Sequence, residues 1–190
     1  DVQKFLQDKG SFLTTLIAED IDGILKPASE IIYAVAVRYQ INPKFLLVTL
    51  QKEQSLVTDD TPTQKQLDWA TGYGVCDSCD LNGAALLKYK GFGKQVDNAG
   101  GLIRWYYNNT DKSFVKKKYQ NTIIDNQIII PQSWATAFLY TYTPHIHGNK
   151  NFWRIWNTWF SQIYPNGTLL RSAYSTDVWL IQNNIKRKFK

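Results

Sequence analysis

The dipeptide Asn42-Pro43 constrains this chain more than any other feature of it. An asparagine ahead of a helix caps a first-turn amide with its side chain. Proline at the next position loses nothing, because that first N–H has no intrahelical partner. Leu46, Leu50 and Val57 follow at steps of four and seven, so the pair opens a helix over residues 43–57 with one apolar face. The same spacing predicts helices over 2–9 (Val2, Phe5, Leu6), 27–39 (Ile31, Ile32, Val35, Tyr39) and from Val96 through Tyr107. It continues over 132–140 and 149–163, where Phe152, Trp156, Trp159 and Ile163 share a face as expected core. Residues 10–26 read as irregular, and 59–93 as turn-rich, with Pro62, Gly72, Gly74, Gly83, Gly91 and Gly93. After Pro165-Asn166-Gly167 the pattern changes. Residues 168–171 and 178–181 read as short strands, with Asn183-Asn184 as a tight turn. The expectation is a mainly α domain over 1–164, with 1–26 as lead-in, then a short β-hairpin tail over 165–190 that starts a further module.

One position on the leading helix breaks its pattern. Glu53 takes a place that the apolar face reserves for core. A carboxylate buried without a partner is costly and titrates above its usual range. Such a group suits the general acid of glycosidic bond cleavage. The competing reading sets Glu53 at the core edge, paired with Lys or Arg. Composition narrows the search, since the chain holds thirteen Asp but only three Glu. Glu19 lies in an acidic loop, and Glu30 sits in a first helical turn, where the macrodipole favours negative charge.

The stretch Asn42-Pro43-Lys44-Phe45-Leu46-Leu47-Val48-Thr49-Leu50-Gln51-Lys52-Glu53-Gln54-Ser55-Leu56 resembles the catalytic helix of lysozyme-like lytic transglycosylases and related glucosaminidases. In those families the helix runs into Glu-Ser; here one residue, Gln54, is inserted. Ala70-Thr71-Gly72-Tyr73-Gly74 is similar to their Gly-rich substrate-lining turn, without the usual Gly-Leu-Met-Gln. Residues 135–142, Ala-Thr-Ala-Phe-Leu-Tyr-Thr-Tyr, are similar to the segment that sets a tyrosine near the acid. The resemblance covers about 27–164. It implies a mainly helical lysozyme-like fold that cleaves the glycan strand of peptidoglycan, with Glu53 as acid/base and Tyr142 beside it.

A hydrolase would need a second carboxylate. Asp59, Asp60, Asp68, Asp77 and Asp80 all follow the helix, and Asp68 is preferred because it adjoins the glycine turn. If none faces Glu53, a single acid can protonate the leaving oxygen and then deprotonate the sugar's own hydroxyl, giving an anhydro product. Ser55, Gly72, Tyr73, Gly74, Tyr140, His145 and Trp105 are the candidates for holding substrate. Trp153 and the pair Trp105-Tyr106 are candidate stacking platforms, and Thr143 to Gly148 a polar loop at the rim.

Cys76 and Cys79 are the only cysteines, and their simplest reading is a local disulfide. With His145 and His147 they also make up a Cys₂His₂ zinc set, against which stands the long sequence gap. A Cys–His nucleophile lacks a helix to stabilise its thiolate, so no cofactor is expected. The net charge of +6 suits an anionic polymer such as cell wall, while seventeen Lys against five Arg speak against nucleic acid. No apolar run reaches membrane-span length. With no Met in the chain, residue 1 reads as the start of a processed or excised piece of a secreted or surface protein. The alternative function is a non-catalytic wall- or glycan-binding module.

Overall fold

The computed structural model describes residues 1–76, 79–161, 164–173, 175–183 and 185–189. Asp77, Ile163 and Asn184, named above, lie outside them. In chain order the elements are α1 (Val2–Asp8), a 3-10 turn (Phe12–Thr14), β1 (Ile17–Glu19), β2 (Leu25–Pro27), α2 (Ala28–Arg38) and α3 (Pro43–Gln54). There follow α4 (Gln64–Asp68), α5 (Ala84–Leu87), α6 (Phe92–Asn108), β3 (Thr122–Ile124), β4 (Gln127–Ile129), α7 (Trp134–Tyr142) and α8 (Ile146–Phe160). The last are β5 (Leu169–Arg171), β6 (Val178–Gln182) and β7 (Ile185–Lys188). Residues Asp1–Trp156 form one compact unit and Asn157–Lys190 a second.

The mainly α expectation is therefore corrected. Among the described residues, eight helices share the chain with seven strands in three small antiparallel sheets, a mixed α and β architecture. The strands β1 to β4 have three residues each, too short to show a period-two pattern. Their hairpins replace part of the irregular lead-in and part of the segment between α6 and α7. The tail is likewise three strands, β5-β6-β7, rather than a hairpin. Strand β7, Ile-Lys-Arg-Lys, is exposed along its whole length and so lacks an apolar signal.

Helix α3 starts as its cap dictates, with Asn42 Oδ1 accepting from the Lys44 amide at 3.0 Å. It stops three residues before the expected end. Ser55 adopts a left-handed φ of 57°, and the Leu56 amide reaches back to the Leu50 carbonyl. Gln51 Oε1 then receives the Val57 and Thr58 amides, so Leu56 and Val57 enter the core from a turn. The core of the first unit gathers Ile31, Ile32 and Val35 of α2, Leu46 and Leu50 of α3, and Val96 and Ala99 of α6, all fully buried. Helices α2 and α6 approach so closely that a Cβ at Gly100 would lie 2.6 Å from Val35 Cγ1. The Arg38–Asp97 ion pair and a 3.0 Å bond from the Tyr39 hydroxyl to Asp97 join the same two segments.

Several assignments on α6 and α8 move. On α6 it is Tyr106 that reaches the core, while Tyr107 is 57% exposed, so Tyr106 is no stacking platform. Helix α8 begins at Ile146, which draws His147 into its first turn and shortens the expected polar loop. Of the expected α8 core residues, Phe152 is buried, whereas Trp156 and Trp159 are half-buried.

Candidate active site

The end of α3 carries two charged side chains in succession. Lys52 Nζ lies 2.5 Å from Glu53 Oε1, with 10% of the lysine side chain and 25% of the glutamate side chain exposed. Glu53 is thus at the core edge and paired, as the competing reading had it, rather than buried alone. Charge placement accounts for the pair. A carboxylate in the last turn of a helix opposes the macrodipole, and an adjoining ammonium offsets it. Lys52 also donates to Thr143 Oγ1 at 3.3 Å, which fixes it to the end of α7.

The segment from Thr71 to Gly74 faces this pair. At Gly72 φ is +67°, and a Cβ there would sit 3.5 Å from Glu53 Oε2. Glycine serves both needs, a left-handed turn and a backbone close to a carboxylate. Helix α6 supplies the anchor. Gln95 is fully buried, and its Oε1 accepts from the Tyr73 amide (3.0 Å), the Thr71 amide (3.3 Å) and Thr71 Oγ1 (3.1 Å). Its Nε2 donates to the Tyr73 and Tyr89 carbonyls at 3.1 and 2.9 Å. A single amide side chain therefore holds the turn. From α7, the Tyr142 hydroxyl donates to the Thr71 carbonyl at 2.9 Å. Burial, and then the negative charge of Glu53, push that hydroxyl well above its ordinary pKa, so it remains a neutral donor. Burial also raises Tyr73 and Tyr106.

These groups enclose a cleft of about 290 Å³, lined by Lys52, Glu53, residues 71–75, Leu102, Tyr106, Tyr142 and Thr143. Of the residues singled out in the sequence, Glu53, Gly72, Tyr73, Gly74 and Tyr142 line this cleft together. The other candidates lie elsewhere. Asp68 pairs with Lys90 at 3.4 Å and accepts from Gln64, and it does not line the cleft. Asp59 receives Thr61 and Gln66, and Asp80 receives the Asn82 amide. Among the described residues no second carboxylate lines the cleft. Ser55 is the exposed left-handed stop of α3. Trp105 stacks on Phe114 at 5.7 Å, and Tyr140 lines a separate groove. His145 Nδ1 bonds Asp125 at 2.9 Å and does not line the cleft.

Sequence reasoning missed Lys52, Thr71 and Gln95. Gln95 carries the same signal that exposed Glu53, a polar residue on the buried face of a helix, here beside Val96 and Ala99. Thr71 and Lys52 carry none, since their roles depend on which segment meets them.

Cys76 and Cys79 form a disulfide next to the turn. Both sulfurs are engaged in it, so the four-ligand zinc set is not assembled. Among the described residues no cluster of three or more His, Cys, Asp or Glu could hold a metal ion, and no helix is long and apolar enough to cross a membrane. The family model described as "LasA, N-terminal domain" matches residues 1–168, a range that includes the whole cleft. No curated protein and no solved structure matches the chain.

Proposed function

The chain belongs to the LasA N-terminal domain family, and from the geometry of the site we propose that its Glu53 cleft cuts the glycan strand of peptidoglycan. The observation that carries this reading is the placement of one carboxylate, Glu53, against the Gly72 backbone and Tyr142 in a polar cleft without a second acid among the described residues. A single carboxyl group can serve in both directions. Protonated Glu53 gives its proton to the glycosidic oxygen as the bond from the anomeric carbon breaks. The resulting carboxylate then takes the proton of the sugar's own hydroxyl, whose oxygen closes on the anomeric carbon to leave an anhydro end. Lys52 balances the carboxylate charge after the first step. Tyr142, bonded to Thr71, positions the turn, and Tyr73 lines the wall where a sugar ring would rest. A disulfide beside the site supports action outside the cytoplasm, at the cell surface or secreted.

Mass spectrometry of peptidoglycan digested by the protein tests the reading. Muropeptides with anhydro ends are expected, and Glu53→Gln abolishes them while the circular dichroism spectrum stays unchanged. Reducing ends alone would refute the single-acid route, and full activity in Glu53→Gln would refute the role of Glu53.

The Lys52–Glu53 ion pair favours one second reading, a module that binds glycan without cutting it. The same digest separates the two. Retention on glycan strands with no released muropeptide supports the binding module.

A further inference from the structure

A second concavity of the first unit, larger than the Glu53 cleft, is a groove of about 1000 Å³ built by α6, α7, α8 and the start of α3. It takes Ile103 and Tyr107 from α6, whereas the cleft takes Leu102 and Tyr106, about 100° away around the helix. Eight of its lining side chains are aromatic, Trp134, Trp153 and Trp156 among them, and Trp153 is 65% exposed. Its polar lining is sparse, and part of it is engaged. Asn42 caps α3, and Arg104 donates to the Tyr39 and Gln40 carbonyls. Asn149 donates to the Thr143 and His145 carbonyls, and Thr136 bonds Ser133. Eight aromatic rings against so few polar side chains suit a hydrocarbon chain better than a sugar chain with hydroxyls along its length. Charge is one-sided as well, since Arg104 and Lys150 line the groove and, among the described residues, no carboxylate does.

We infer that this groove binds one long-chain amphiphile with an anionic head, a free fatty acid being the simplest. The chain lies along the Trp134, Phe152 and Trp156 rings, and Arg104 and Lys150 supply the charge that the head needs. A recessed groove of this volume is in the range that encloses a whole small ligand, which favours a monomer over the surface of a bilayer. The inference stands apart from the proposed glycan chemistry.

Titration of the protein with decanoate, laurate and myristate below their micelle concentrations, followed by tryptophan fluorescence and calorimetry, tests it. One saturable site is expected, tightening about fourfold per added methylene. Lys150→Glu weakens laurate severalfold while leaving uncharged dodecyl maltoside within twofold, and Trp153→Ala weakens both, each variant keeping the parent circular dichroism spectrum. The inference is overturned if laurate does not saturate, or if neither variant changes its binding. Dodecyl maltoside binding as tightly as laurate, chitooligosaccharides competing it out, or binding to phosphatidylglycerol vesicles without binding to monomers each overturns it too. Dimers that form by covering the groove, seen as laurate-sensitive association in sedimentation, also count against it.

Discussion

Lys52 stands against Glu53 with one tenth of its side chain exposed, and the carboxylate that would react sits beside a nearly buried ammonium. Removing the lysine leaves Glu53 facing the helix end without a counter-charge. Lys52→Met is expected to cost about 1–2 kcal/mol in urea unfolding, the partial exposure of both groups keeping it below the penalty of a fully buried pair. Lys52→Arg recovers most of that loss, and equal stability of the Met and Arg variants would remove the ion pair from the account. Gln95 makes a stronger test. Its side chain partners the Thr71 and Tyr73 amides and two carbonyls inside the molecule. Gln95→Leu strands those groups and is expected to destabilise by roughly 2–4 kcal/mol. Loss of muropeptide release should exceed loss of folded protein, because Gly72 is no longer held against Glu53. Glu53 and Gln95 were both legible as polar residues on apolar faces. Their partners were not, because partners are chosen by contact.

At the scale of elements, the β3–β4 hairpin turns through Asp125 and Asn126, both with positive φ, the backbone of a two-residue hairpin turn. Its Asp125 carboxylate accepts from the Ile146 amide at 2.7 Å and from His145 Nδ1 at 2.9 Å, so one element caps the start of another. The Ile146 amide, and then His145, hold the Asp125 carboxyl below its ordinary value. The sign follows. The contact contributes stability above the ordinary aspartate range and loses it as the pH falls through the depressed folded-state value. In a nuclear magnetic resonance titration the Ile146 amide shift should move with a midpoint below that of a free aspartate, and Asp125→Asn should flatten the curve. A midpoint at the ordinary value contradicts the cap. Helix α3 shows the opposite case, a start set by its own neighbours Asn42 and Pro43. Its end was misjudged because Ser55 leaves the helix in a left-handed turn that apolar spacing does not register.

For the whole molecule, the two compact units differ in what they bury. The first has a core of fully buried aliphatic residues, while in the second Ile181 is the buried apolar side chain among those described, with Leu169 and Ile185 more than half exposed. Three short strands with so little apolar burial do not offset the entropy of ordering them. A peptide of residues 165–190 is therefore expected to be unfolded alone at 25 °C, with collapsed amide dispersion, and a folded spectrum would contradict this. Residue order alone marks the helices with strong periodicity, the start of α3, the change of character after residue 165 and the one glutamate that breaks an apolar face. Those features are local, set by neighbours within a turn or two. Only the tertiary structure decided the mixed α and β class, the pairing of Glu53 with Lys52, the exclusion of Asp68, and the docking of Gly72 through Gln95 and Tyr142. Each of these rests on segments that are distant in sequence, where side-chain geometry rather than residue pattern selects the contact.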